Sequence, residues 1–284
     1  MNEISPVAAN RTVSPEFSSA SVVGGLWQIL REEARQAAAG EAMLARFLDL
    51  AVLEQGDFAS ALAGLLARKL ALPHLPQDTL QDLVQTALAA DPAILAAVAA
   101  DLAAVRARDP ASESYLTPFL YYKGFHALQW HRIGHFLWQR DRQDLAHFLQ
   151  GRVCEVFAVD IHPAVPVGSG VFIDHGTGLV VGETAIIGND VSILHEVTLG
   201  GTGKERGDRH PKVHDGVLLS AGAKVLGNIT LGRNARIGAG SVVLHDVPPC
   251  ATVAGVPARV VGWCRESVPA LVMDQIVPDY DYVI

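Results

Sequence analysis

From Ile161 to Pro248 an aliphatic residue returns every six positions, in three runs. Ile161, Val167 and Ile173 form the first, Val181, Ile187, Ile193 and Leu199 the second, and Val213, Leu219, Val225, Leu231, Ile237 and Val243 the third. Glycine often follows directly, at Gly168, Gly182, Gly188, Gly232 and Gly238, and the position four beyond the aliphatic is usually small or valine. A six-residue period fits neither a helix nor a simple alternating strand. It predicts a parallel β-helix, in which each short strand is one side of a coil and the aliphatics stack into a continuous apolar interior. From Val22 to about Gln150 the texture differs, with apolar residues at three- and four-residue spacing, as in Leu44, Phe47, Leu48 and Leu62, Leu65, Leu66. That spacing predicts helices. Asp57 and Asp78 are placed to cap them, and Pro73, Pro76, Pro92, Pro110 and Pro118 mark their starts or breaks. The alanine-dominated stretch from Ile94 to Val105 predicts a helix packed tightly on a neighbour.

The fold class is therefore α+β. A helical domain over 22–153 precedes a β-helix domain over 154–262, whose solenoid the paired prolines Pro248 and Pro249 are expected to end, with an extension at 1–21 and a tail at 263–284. The extension mixes Asn2, Glu3, Pro6, Arg11 and Pro15 with small residues and lacks an apolar core long enough for a signal peptide, so it reads as a disordered extension of a cytoplasmic protein. Among 284 residues, 50% are hydrophobic and 18% charged, with a formal charge of -8, ample for a core and without the basic run that a nucleic-acid partner would need. No membrane partner is expected. Cys154, Cys250 and Cys264 match neither a disulfide framework nor a zinc cluster and read as unpaired thiols in a reducing compartment. The aromatic segment from Tyr115 to Trp138, interleaved with His126, His131 and His135, reads as core or oligomer contact.

Two clusters on the early coils could carry chemistry, Asp160-Ile161-His162 and Asp174-His175-Gly176-Thr177-Gly178. Residues about eighteen apart lie one above the next in a three-sided coil, and neighbouring sides meet at corners, so Asp160 and His175 are able to approach. An aspartate bonded to one imidazole nitrogen would fix the tautomer and raise the basicity of the other, making His175 a general base. The alternative is that these residues cap turns, and the spacing leaves both open. Between Leu199 and Val213 the hexad breaks into a polar loop on a rigid scaffold, which favours a functional role. Within it Arg209 offers a planar fork for a carboxylate and His210 stands beside it, while Asp174 or Asp109 would suit an ammonium group. Lys212, Lys224, Arg233 and Arg236 could face phosphates of a nucleotide-tailed cofactor or be merely solvated. Gly200-Gly201-Thr202-Gly203 lacks the ending of a P-loop.

Together, Tyr122-Lys123-Gly124-Phe125-His126-Ala127, Asp160-Ile161-His162-Pro163, Asp174-His175-Gly176-Thr177-Gly178, Val181-Gly182-Glu183-Thr184, Thr198-Leu199-Gly200-Gly201-Thr202-Gly203-Lys204 and Gly207-Asp208-Arg209-His210-Pro211-Lys212 closely resemble the serine O-acetyltransferases of the hexapeptide-repeat acetyltransferases. The resemblance is dense from about Asp109 to Gly262 and looser in the helical half. It implies a left-handed hand for the β-helix, and trimers that pair through the N-terminal helices. It implies acetyl-CoA as co-substrate, L-serine as acceptor, L-cysteine as feedback inhibitor, and no permanently bound cofactor or metal. Carried over by position, His175 is the base and Asp160 its orienting partner, Asp109 and Asp174 hold the ammonium group, and Arg209 and His210 hold the carboxylate. Gly201, Ala221 and Ala239 would line the coenzyme A arm of a site between subunits, and the tail ending in Ile284 would enter cysteine synthase. Other classes on such folds are acetyltransferases for other hydroxyl compounds, zinc lyases of the carbonic anhydrase type, for which His162, His175, His195, His210 and His214 supply imidazoles, and scaffolds without activity.

Overall fold

The structure, a computed structural model, describes residues 19–203, 206–264, 268–273 and 275. Eight helices come first: α1 (Ser19–Gly40), α2 (Ala42–Leu48), which runs on into a π-helical turn at Asp49–Leu53, α3 (Phe58–Leu70), α4 (Gln77–Ala90), α5 (Pro92–Arg108), α6 (Leu116–Tyr121), α7 (Lys123–Trp138) and α8 (Gln143–Phe157). Local chemistry sets their starts. The Asp57 carboxylate accepts the Ser60 amide of α3 at 2.7 Å, and Asp91 accepts the Ala93 amide ahead of α5, where Pro92 occupies a first-turn position that has no need of an amide hydrogen. Asp78 does not cap: Pro76 holds that position in α4, and Asp78 lies in the first turn, where its charge still favours the helix N-terminus.

The helix α7 is the spine of this half. Its histidines are structural, as the aromatic stripe implied: a His126 ring nitrogen meets the Phe119 carbonyl at 2.7 Å, His131 the Val165 carbonyl at 3.0 Å and His135 the Pro163 carbonyl at 2.8 Å. Burial, above all, pushes the His126 pKa down to about 4 and the His131 pKa to about 3. Nearby, the fully buried Asp101 of α5 receives the Arg132 guanidinium at 2.7 and 3.0 Å and the Val171 amide at 2.9 Å, while Arg132 also reaches the carbonyls of Val167 and Gly168. This ion pair ties both helices to the first coil. Gly124 lets the start of α7 touch the coil, since a Cβ there would lie 2.2 Å from the Ile173 carbonyl oxygen. Among the described residues no single helix is long and apolar enough to cross a membrane.

The last helix continues to Phe157, so the change to strands falls at Ala158, beyond the expected boundary at 153. Three faces of short strands follow. The first face stacks Val159–Ile161, Leu179–Val181, Thr198–Gly200, Lys224–Leu226 and Val242–Val243 in parallel. The second stacks Ile186–Ile187, Lys212–Val213 and Thr230–Leu231, and the third Phe172–Ile173, Ser192–Ile193, Leu218–Leu219, Arg236–Ile237 and Ala251–Gly255. The periodic aliphatics point inward as the hexad required: every member of the three runs except the half-buried Val167 is buried. The two gaps between runs are insertions at corners. Ile173 and Val181 are eight positions apart because Asp174 to Gly178 bulge between third and first faces, and Leu199 and Val213 are fourteen apart because the polar loop leaves between first and second.

Two expectations for the end of the coil are corrected. Pro248 and Pro249 do not end it, because Ala251–Gly255 still pairs with Arg236–Ile237 before a hairpin turns back into the antiparallel strand Ala258–Trp263. Nor are all three cysteines unpaired. The hairpin sets Cys250 opposite Cys264, where they form a disulfide, and only Cys154 is a free thiol among the described cysteines. The short helix α9 (Pro269–Val272) then crosses the third face, with the Ala270 carbonyl accepting the Ser192 hydroxyl at 2.8 Å.

Candidate active site at two corners of the coil

The corner between the third and first faces gathers one set of side chains. His175 has φ of +57°, a left-handed conformation relieved by Gly176 at +72°, and its ring is exposed. Its Nε2 lies 3.7 Å from Asp174 Oδ1, an electrostatic contact longer than a hydrogen bond. One coil on, the His195 ring stands edge-on to His175 with centroids 5.9 Å apart, and the buried His195 Nδ1 has no partner among the described residues. Asp109, at the C-terminal cap of α5, comes from the helical domain to the same corner, where burial and then the Asp109 carboxylate raise the Tyr122 pKa. Desolvation raises the Asp174 pKa above the usual carboxylate range, and the Asp109 charge adds to this against the opposing pull of His175 and His195. Two carboxylates crowded at a half-buried corner make a cation site. The corner continues as His195, Ala221 and Ala239 in successive coils, linked by the Gly222 amide to the His195 carbonyl at 3.0 Å and the Gly240 amide to the Ala221 carbonyl at 2.8 Å.

The corner between the first and second faces gathers a complementary set. Thr184 organises it: its hydroxyl oxygen accepts the amides of Arg209 at 3.0 Å and His210 at 3.1 Å. The Thr184 amide donates to His210 Nδ1 at 3.2 Å, and the Thr184 hydroxyl lies 2.9 Å from the same nitrogen. Because Nδ1 accepts, the neutral His210 carries its proton on Nε2. That nitrogen faces Gly182, where a Cβ would stand only 2.0 Å away. Burial and the Arg209 charge both lower the His210 pKa, so the ring is held as a neutral donor. Arg209 is steadied by Glu183 Oε2 at 2.9 Å and the Gly207 carbonyl at 3.0 Å, and its hydrogen bond holds the Glu183 pKa low. Lys212 is absorbed by Asp208 and the carbonyls of Thr184 and His210, Lys224 by the Glu196 carbonyl and Arg233 by Asp215. These cations brace the corners themselves.

The two corners lie at opposite edges of the first face, separated by about five extended residues, or ~16 Å. Asp109, Asp174 and His175 are together, and so are Arg209 and His210, but one protomer does not join the sets. Asp160 lies on the first strand of the first face, and its Oδ1 accepts Gln150 Nε2 at 2.7 Å; within the protomer it makes no bond to His175. Its neighbours are His162 and Cys154, on the side of the Arg209 corner. Gly201 also belongs to that corner, against the Arg209 side chain, and stands apart from Ala221 and Ala239. Of the five histidines His175 and His195 share a corner and the others stand away from it, and among the described residues no three of His, Cys, Asp or Glu gather as a metal site. The sequence offered His195 only as an imidazole for the zinc-lyase reading and gave no role to Tyr122, Glu183 or Thr184, although these three lay inside quoted motifs.

A coil of stacked hexads with a polar loop leaving one corner is the architecture of the hexapeptide-repeat proteins, and similarity to known proteins places this chain among their acyltransferases. The family described as bacterial transferase hexapeptide (six repeats) matches residues 210–245, and serine acetyltransferase, N-terminal, matches residues 26–130. The serine acetyltransferase of Escherichia coli strain K12 is 55% identical over 250 residues, covering 88% of this chain and 92% of the relative. A solved serine acetyltransferase in complex with cysteine superposes with a TM-score of 0.87 at 52% identity, covering 89% of this chain and 98% of the other. Soybean serine acetyltransferase complexed with serine gives 0.83 at 52% identity, covering 84% and 99%. The chain belongs to the serine acetyltransferase family, and its solenoid is the left-handed β-helix of that family.

Proposed function

We propose that this chain transfers the acetyl group of acetyl-CoA to the hydroxyl of L-serine, giving O-acetyl-L-serine for cysteine biosynthesis, at a site completed between neighbouring copies. One observation carries the assembly: a cation-binding corner with a base and an anion-binding corner with a fork lie on opposite edges of one face, so neither edge alone holds an amino acid. In a cyclic trimer, one edge of each copy meets the other edge of the next through a heterologous interface. Asp109 and Asp174 then take the ammonium group, while the neighbouring Arg209 and the Nε2 proton of His210 take the carboxylate. His175 accepts the proton of the serine hydroxyl as that oxygen attacks the thioester carbonyl; the tetrahedral intermediate collapses, the C–S bond breaks, and the coenzyme A thiolate leaves and takes the proton back from His175. Asp160, on the edge that carries Arg209, comes beside the neighbouring copy's His175 as its orienting partner. The stack of Ala221 and Ala239 on one copy and Gly201 on the other edge the groove for the coenzyme A arm. Val22, Ile29, Met43, Leu44 and Leu50, all exposed on or just beyond the first two helices, supply an apolar face for pairing trimers.

L-Cysteine carries the same ammonium and carboxylate groups and competes for the same clamp. The tail ending in Ile284 is the segment for docking into cysteine synthase, a terminal carboxylate and an apolar side chain suiting such capture; residues 276–284 lie outside the described ones. The test is the rate of L-serine-dependent acetyl-CoA consumption. His175→Ala is expected to lower turnover by roughly 10²–10⁴, the usual worth of a positioned base, with the oligomer intact. Turnover near that of the unsubstituted enzyme in a folded His175→Ala variant would remove His175 from the mechanism.

A further inference from the structure

Asp160 is held from behind. Gln150, on the side of α8 that faces the first coil, donates Nε2 to Asp160 Oδ1 at 2.7 Å, and its Oε1 lies 3.1 Å from His147 Nδ1. The carboxylate fixes which end of the amide points where. An amide turned the other way would set two acceptor oxygens against each other at 2.7 Å, so Nε2 faces Asp160 and Oε1 faces His147. An oxygen accepts only, so His147 Nδ1 must carry a proton and donate. The His147 ring is set edge-on to Trp138 of α7 and His162 of the coil corner, at centroid distances of 5.3 and 5.2 Å, and Trp138 and His162 are 5.1 Å apart. A three-ring cluster thus aims the amide, and the amide aims the carboxylate.

We propose that Gln150 is a positioning residue for the acetyl transfer, holding the Asp160 carboxylate turned toward the His175 it serves, with His147 keeping the Gln150 amide in register. The inference rests on the reading of Asp160 as the orienting partner of the base. A donor bonded to a carboxylate selects which oxygen lone pairs remain for the imidazole. Other titratable groups facing Asp160 are Cys154 on α8 and His162 at the corner, beyond which stand Glu183 and Arg209. None of these donates a hydrogen bond to Asp160, whereas Gln150 does.

Two substitutions separate positioning from support. Gln150→Leu removes the donor and is expected to lower kcat by about tenfold while leaving the KM for serine within about twofold, because the ammonium and carboxylate clamps are untouched. Gln150→Glu keeps the shape but sets a carboxyl against Asp160. A pair of carboxyls at hydrogen-bond distance shares one proton, so the variant donates to Asp160 only while it holds that proton. Its activity relative to the unsubstituted enzyme is expected to fall steadily as pH rises from 6 to 9, a trend that a packing defect would not give. Asp160→Asn, alone and combined with Gln150→Leu, completes the set, and the double variant is expected to be no slower than Asp160→Asn alone. Full kcat in folded Gln150→Leu beside a slowed Asp160→Asn would overturn the role of Gln150 and leave Asp160 in place. Full activity in Asp160→Asn would overturn the underlying reading instead. Equal, additive losses in the double variant, or a Gln150→Glu defect independent of pH, would mark Gln150 as structural and contradict the proposal.

Discussion

Thr184 decides what His210 offers. By accepting two loop amides and occupying Nδ1, it leaves the imidazole a single outward donor beside the Arg209 fork, and Gly182 keeps that direction open. In the proposed site serine and cysteine would present the same carboxylate to this pair. Arg209→Ala is therefore expected to raise the KM for serine and the inhibition constant for cysteine together, each by roughly 10–100-fold, the cost of about 1.5–3 kcal/mol for a lost charge-assisted hydrogen bond. Steady-state kinetics with and without cysteine measure both, and cysteine inhibition that persisted unchanged while serine binding collapsed would mean a separate inhibitory site. The position of this pair was legible in the sequence, because Gly-Asp-Arg-His-Pro-Lys lies in the longer of the two breaks in the hexad. Their supports were less so. Thr184 reads as an ordinary corner residue until the loop is seen folded onto it, and a hydrogen bond spanning 26 positions has no local signal.

At the level of elements, the period of the coil and its exceptions carry different information. Hexad positions fixed the inward faces with little ambiguity, since a corner must return every six residues for the aliphatics to stack. The exceptions, an eight-position step at Asp174 to Gly178 and a fourteen-position step through the loop, carry the candidate site residues Asp174, His175, Arg209 and His210. Pairings that depend on a turn rather than on the period could not be read: the Cys250–Cys264 disulfide follows from a hairpin register, and the end of the coil lies past Pro248 and Pro249 because Cys250, in a left-handed turn, and Ala251 carry the chain back onto the third face. Helix α7 shows the same limit, since His131 and His135 bond to carbonyls 34 and 28 positions away along the chain. The helix's buried histidines also make a pH statement. Their folded pKa values, about 4 for His126 and about 3 for His131, lie below the unfolded value of roughly 6.5, so the unfolded chain binds more protons. Stability is then complete above about pH 6.5 and declines as pH falls toward those folded values, by up to about 1.4 kcal/mol per pH unit for each histidine. Melting temperatures between pH 7.5 and 5.0 are expected to drop, and His131→Asn, less stable at pH 7.5, should lose less over that interval. An equal drop in the two proteins would contradict this account of His131.

For the whole molecule, the distribution of charge along the edges of the first face determines what a single copy lacks. Asp109 reaches its corner from the helical half through the cap of α5, and the Asp101–Arg132 pair locks that half to the first coil, so the cation corner needs both domains of one chain. The anion corner is built by the coil alone, from the loop and Thr184. Completion between copies is thus the central claim, and mixing two defective proteins tests it most directly. His175→Ala keeps a sound Arg209 edge, and Arg209→Ala keeps a sound His175 edge. When the two are co-expressed and assembled at random in equal amounts, each interface draws its two edges independently, and about one quarter of the sites become intact. Serine-dependent activity of the mixture is therefore expected to recover to about one quarter of that of the unsubstituted enzyme. A mixture no more active than the average of its two components would contradict a site shared between neighbouring copies.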